Sequence, residues 1–172
     1  MSIDTTESQA IRSLLTDSFG RVAELVEGFR GLSADAATAR PAPHANTIAW
    51  LLWHLSRVQD DHVCGLAGRE QAWAHGWHER LSLPFPFGDI GFGHSTQDVG
   101  RVRTPVDELL AYHADVHALS LEYVASLTVE ELDRVVDTRW DPPVTASMRL
   151  VSLLGDCLQH AGQAAYVRGI VE

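Results

Sequence analysis

Residues 155–164, G-D-C-L-Q-H-A-G-Q-A, set Asp156 and His160 four positions apart. In a helix that spacing stacks a carboxylate and an imidazole one turn apart on the same face. Such a ledge offers two ligands to a divalent ion, and at least one more has to come from elsewhere in the chain. The upstream run T-I-A-W-L-L-W-H-L at 47–55 supplies the best candidate, His54. Two histidines and one carboxylate leave coordination positions open for water or substrate, as a catalytic site requires. The same Asp-His spacing also suits a plain hydrogen bond on a solvated face.

Working outward, the segment belongs to a last helix that Thr145 can cap, with Leu150, Val151, Leu154, Cys157, Leu158, Ala161 and Ala165 as its apolar stripe. A first helix is expected from Thr5 to about Gly31, carrying Ile11, Leu14, Leu15, Phe19, Val22, Leu25, Val26 and Phe29 at spacings of three and four. Residues 33–46 read as a connection that delivers Asn46 or Thr47 as the next cap. The second helix runs from Thr47 to about Ala67, with Ile48, Leu51, Leu52, Leu55, Val58, His62 and Leu66 buried and His54 at the margin of that stripe. A short helix broken near Gly76 is expected over 69–81. Residues 82–104 then form a long loop whose Phe85, Phe87 and Phe92 have to fold over an opening or meet a partner subunit. Thr104, Pro105 and Asp107 open a third long helix to about Leu127, Thr128 and Glu131 make a capping-box turn, and 135–143 cross in extended form to a proline pair. Four long helices, no confident strand and one long connection describe an all-α four-helix bundle with a crossover, a single domain spanning 1–172.

The 172 residues hold 13 Lys and Arg against 23 Asp and Glu, a formal net charge of −10. That field repels phosphate backbones and acidic membranes, so no nucleic-acid or membrane partner is expected. No apolar run approaches the roughly 20 residues of a transmembrane helix, and M-S-I-D-T-T-E has neither a basic n-region nor an apolar h-region. A cytoplasmic protein is expected, with Cys64 and Cys157 as unpaired core residues.

Nine histidines widen the choice of ligands. His113 and His117 satisfy the same helical spacing on the third helix, with His113 on its apolar face, and periodicity does not separate this pair from the other. His75 and His78 flank Gly76, while His44 and His94 lie in loops with no partner to name. Arg57 and Asp61 lie near His54 on one helix, where they read as a surface ion pair or as outer partners of the site. Trp50, Trp53, Phe85 and Phe92 are candidates for an apolar electrophile site or for core. No GxSxG, P-loop or Rossmann fingerprint is present.

T-I-A-W-L-L-W-H-L-S-R-V-Q-D-D at 47–61, taken with L-L-G-D-C-L-Q-H-A-G-Q-A-A-Y-V-R-G at 153–169, resembles the DinB/YfiT-like superfamily. The likeness is strongest to the branch that includes mycothiol S-transferases and mycothiol-dependent maleylpyruvate isomerase. It implies a four-helix bundle holding one divalent metal, usually zinc or nickel, on His54, Asp156 and His160. Asp156 stands where the isomerase has Glu and other members have His, so the ion would lie closer to the backbone or bind more weakly. Gln163 falls where related members often carry a histidine, and a fourth-ligand or pocket-lining role is implied for it.

The activity implied is a thiol S-transferase that conjugates a low-molecular-weight, mycothiol-like thiol to an electrophile. The alternatives are an isomerase of the maleylpyruvate type, for which Arg139, Arg149 and Arg168 offer cationic groups, a metal-dependent hydrolase, and a non-enzymatic metal-binding bundle. Relatives that often dimerise, together with the apolar loop, imply a homodimer.

Overall fold

The computed structural model describes residues 3–172. In chain order the helices are α1 (Ile3–Glu27), α2 (Ala34–Thr38), α3 (Ile48–Ala67), α4 (Trp77–Leu81), α5 (Thr96–Val99), α6 (Val106–Ser126), α7 (Val129–Asp133) and α8 (Ala146–Val171). A single 3-10 turn, Ala72–Ala74, precedes α4. Two short strands, β1 (Val135–Asp137) and β2 (Val144–Thr145), pair antiparallel ahead of α8. The four long helices form the expected all-α bundle: α3 packs on α6 and α8, and α1 packs on the same two from the other side. Among the described residues no helix is long and apolar enough to cross a membrane.

The caps explain most of the boundaries. Thr47 accepts from the N–H of Trp50, Thr128 from Glu131 and Thr145 from Met148, so three expected helix starts stand. At α6 the cap position falls on Pro105 with no side-chain hydrogen bond, so the expected Thr104 cap is not made. Asp107 and Glu108 do occupy its first turn, where acids meet the positive end of the helix dipole.

Four expectations require correction. α3 is no half-buried amphipathic helix: every residue from Ile48 to Asp60 is buried, because α6, α8, α2 and the long connection surround it. From Ile48 to Leu55 only His54 is polar, and a stretch apolar on all sides marks a central helix. On α8 the buried face runs through Ala146, Leu150, Leu153, Cys157, Ala161, Ala164 and Val167, while Val151 and Leu158 point to solvent. Glycines and alanines blur the apolar pattern there, and the stripe turns by one position. The connection 82–104 contains α5, opened by a Ser95–Asp98 capping box, and its phenylalanines diverge: Phe85 is buried, Phe87 is half exposed and Phe92 is 92% exposed. Finally, 135–145 supplies a strand pair where only a crossing was expected.

Candidate metal centre

His54 on α3 and Asp156 with His160 on α8 come together, each offering a ligand atom within 4.8 Å of the others. The two imidazole centroids are 4.7 Å apart, and His160 Nε2 is 3.5 Å from Asp156 Oδ1. Among the described residues no other group of three or more His, Cys, Asp or Glu side chains converges in this way.

The tautomers follow from the outer contacts. The carbonyl of Ile90 can only accept, so His54 Nδ1 carries the proton and donates to it, which leaves Nε2 with its lone pair. His160 Nδ1 lies 3.2 Å from Gln163 Oε1 and donates to it in the same sense, freeing its Nε2. Gln163 is therefore an outer partner of His160 here. Asp156 Oδ2 is buried and has no hydrogen-bond partner at all. Two imidazoles with free Nε2 lone pairs beside a carboxylate that has one unmatched oxygen form a set of acceptors with no donor, and a cation satisfies such a set. The donor chemistry thus fits a divalent metal.

Charge within the group is consistent with that reading. Burial pushes the His54 imidazole below its ordinary value, with the Ile90 carbonyl bond pulling the other way. When His160 Nε2 takes up a proton it can donate to Asp156, and that bond, aided by the Asp156 charge, raises the His160 imidazole above its ordinary value. Burial works to raise the Asp156 carboxyl, but His160, His54 and His62 together bring it below its ordinary value.

A cavity of about 120 Å³ opens beside the group, with His54 and Asp156 at one wall and Val58, Ile90, Phe92 and Leu153 supplying apolar surface. His62 lines both this cavity and a neighbouring hollow of about 280 Å³ that reaches Asp61, Arg139 and Arg149. Arg139 and Arg149 both bind the Asp137 carboxylate, at 2.8 and 3.3 Å.

Other expected residues lie elsewhere. Arg57 is fully buried and is not half of a surface pair with Asp61: it approaches Asp60 at 3.5 Å, bonds Gln71 and Tyr112, and lies over the Trp73 ring. Asp61 instead accepts from Gln71 at the wall of the second hollow. His113 and His117 stack on each other on α6 and line a separate hollow against α1.

Sequence reasoning missed the loop that covers His54. Gly91 rests against His54, Trp50 and Trp53, and His94, left without a partner in the sequence, bonds Trp50 and Asp89. The D-x-G spacing of Asp89 and Gly91 was the available signal, since an Asp that bonds a backbone N–H two residues on marks a fixed turn.

A search of curated proteins gives no match to this sequence. Among solved structures, a conserved protein from Enterococcus faecalis superposes with a TM-score of 0.87 at 30% identity, covering 94% of this chain and 96% of that one. The family model for mycothiol S-transferases matches residues 10–172. With nearly the whole chain matched and the bundle in place, the chain belongs to the mycothiol S-transferase family.

Proposed function

We propose that the protein is a metal-dependent thiol S-transferase that joins a low-molecular-weight, mycothiol-like thiol to an electrophilic substrate. The observation that carries this reading is the donor-free set formed by His54 Nε2, His160 Nε2 and the orphaned Asp156 carboxylate oxygen. His54, Asp156 and His160 hold one divalent cation; zinc suits the nitrogen and oxygen donors, and nickel is the second choice. A cation bound there favours thiolate over thiol at neutral pH and so raises the nucleophilicity of the sulfur.

The chain's own residues do the rest. Ile90 and Gln163 fix the two imidazoles, while Val58, Ile90, Phe92 and Leu153 narrow the water around the reacting atoms. The hollow beyond His62 gives a hydrophilic co-substrate room for its body. In the reaction a sulfur–carbon bond forms, the leaving group departs from that carbon with its electron pair, and the thiol proton passes to water at the cavity mouth. An isomerase acting on a dicarboxylate needs unengaged cations. Here Arg139 and Arg149 share Asp137, and Arg168 is bound to Glu172 and the Gly28 carbonyl, which favours the transferase.

Pairing of two chains is part of the same reading, through the outer face of α8 where Val151, Leu158 and Tyr166 are exposed; sedimentation of the purified protein tests it. The enzymatic reading is tested by metal content of wild type and His160→Ala, followed by thiol conjugation to a bimane or chloronitrobenzene electrophile with and without chelator. About one equivalent of metal in wild type, its loss in the variant and chelator-sensitive conjugation are expected. A wild type that purifies and reconstitutes without metal overturns the proposal.

A further inference from the structure

An imidazole binds a metal well only when its ring is held in the binding orientation, and the groups that hold it lie outside the ligand set. Two surfaces hold His54. One is the Ile90 carbonyl at Nδ1. The other is the indole of Trp50, stacked on the imidazole at 4.6 Å between centroids with planes 13° apart.

A single pair of side chains secures both surfaces. Trp50 Nε1 donates to His94 Nδ1 at 3.1 Å, and His94 Nε2 donates to Asp89 Oδ2 at 3.0 Å. The other oxygen of Asp89 accepts from the N–H of Gly91 at 2.7 Å, fixing the turn on which Ile90 sits. An indole N–H can only donate, so the proton of His94 has to be on Nε2, where Asp89 needs it. The ring of His94 is wedged between Trp53 and Phe85, with centroids 5.6 and 4.5 Å away, and its side chain is 8% exposed.

We propose that Asp89 and His94 are positioning residues for His54: they tie Trp50 and the Ile90–Gly91 turn into one clamp and so set the metal affinity of the site without touching the ion. This inference rests on the reading of His54, Asp156 and His160 as metal ligands. A pair that served folding alone would support the metal-free and metal-loaded protein equally and leave affinity unchanged. Cutting a clamp lets the ligand leave its binding orientation, and loss of such outer partners typically weakens metal binding about ten- to a hundredfold.

The test compares His94→Phe, which keeps the aromatic wedge and removes both hydrogen bonds, with His94→Gln, whose amide again accepts from Trp50 and donates to Asp89. Zinc affinity is read by competition with a chromophoric chelator, ligand geometry by the visible spectrum of the cobalt-substituted protein, and folding by the thermal midpoint of the metal-free form. The expected result is zinc binding at least about tenfold weaker in His94→Phe with a changed cobalt spectrum, a metal-free midpoint near that of wild type, and recovery in His94→Gln. Equal affinity and an unchanged spectrum in His94→Phe overturn the clamp while leaving the metal site intact. So does a His94→Gln variant as weak as His94→Phe. If His94→Phe does not fold, Asp89→Asn decides: it keeps an oxygen for Gly91 but sets an amide donor against His94, and unchanged zinc affinity there overturns the clamp. A wild type that binds no zinc or cobalt overturns both readings.

Discussion

Gly91 lies so close to His54 that a β-carbon built on it would stand 2.8 Å from Nδ1, with Trp53 at 2.9 Å and Trp50 at 3.2 Å. Its φ of 91° is one that side-chain-bearing residues rarely adopt. The loop can therefore present the Ile90 carbonyl to His54 only because position 91 has no side chain. Gly91→Ala is expected to push the loop off α3 and to lower zinc affinity at least about tenfold through loss of the Ile90 hydrogen bond. Gly93 also has a positive φ, 75°, but nothing within 4 Å of its would-be β-carbon. Gly93→Ala should show the backbone cost alone, about 1–3 kcal/mol in urea unfolding, with zinc affinity kept. Chelator competition on both variants checks this, and equal losses of affinity would remove the significance of the contact.

Asp156 controls the proton on His160 as long as no cation neutralises it. In the metal-free protein His160 is raised above the ordinary histidine value, first by the bond its protonated ring makes to Asp156 and further by the Asp156 charge. Asp156→Asn removes both effects, so the His160 titration followed by NMR should move to lower pH while metal binding is lost. An unchanged midpoint would mean that the two side chains are not paired in solution.

The acid side of the stability curve should be governed by buried neutral histidines. Burial pushes the His113 imidazole down to about 3, with His117 adding to the effect. An unfolded chain takes up that proton near 6.5 and the folded one does not until about 3, so between those values the unfolded state binds more protons. Stability from this group is complete above about pH 6.5 and drains as pH falls, by up to about 1.4 kcal/mol per unit. Replacing His113 by Leu should flatten the slope of unfolding free energy against pH between 6 and 4. Urea titrations at several pH values measure it, and an unaltered slope would show that His113 is not buried neutral.

How much of this was legible in the sequence differs from element to element. The four long helices follow from period and caps, whereas the meeting of His54 with Asp156 and His160 follows from the family resemblance of 47–61 and 153–169, because the four-residue spacing on α8 is matched by His113 and His117 on α6. The rotation of α8 was not legible, because alanine and glycine weigh too little in an apolar pattern to fix its phase. Nor was the burial of Arg57: its partners Gln71 and Tyr112 are 14 and 55 residues away, and Asp60 was masked by the more obvious Asp61. The clamp at His94 escaped for the same reason, since a loop histidine acquires a partner only when tertiary contacts bring Trp50 across 44 residues.

That buried pair yields the sharpest stability contrast in the chain. Asp60 and Arg57 are both fully buried, and the Asp60 carboxylate also accepts from the N–H groups of Ala72 and Trp73 and from the Tyr112 hydroxyl. It thereby ties α3 to α6 and to the turn that leads into α4. Asp60→Ala strands the Arg57 guanidinium and two backbone donors in the core, a loss of about 3–5 kcal/mol for an uncompensated buried charge. Asp61, one residue on and partly exposed, has a single hydrogen bond to Gln71, so Asp61→Ala should cost about 1 kcal/mol or less. Urea unfolding of the two variants beside wild type separates the cases. Comparable losses would show that the adjacent acids share the burden, and that the charge at the centre of the bundle is better solvated than its burial implies.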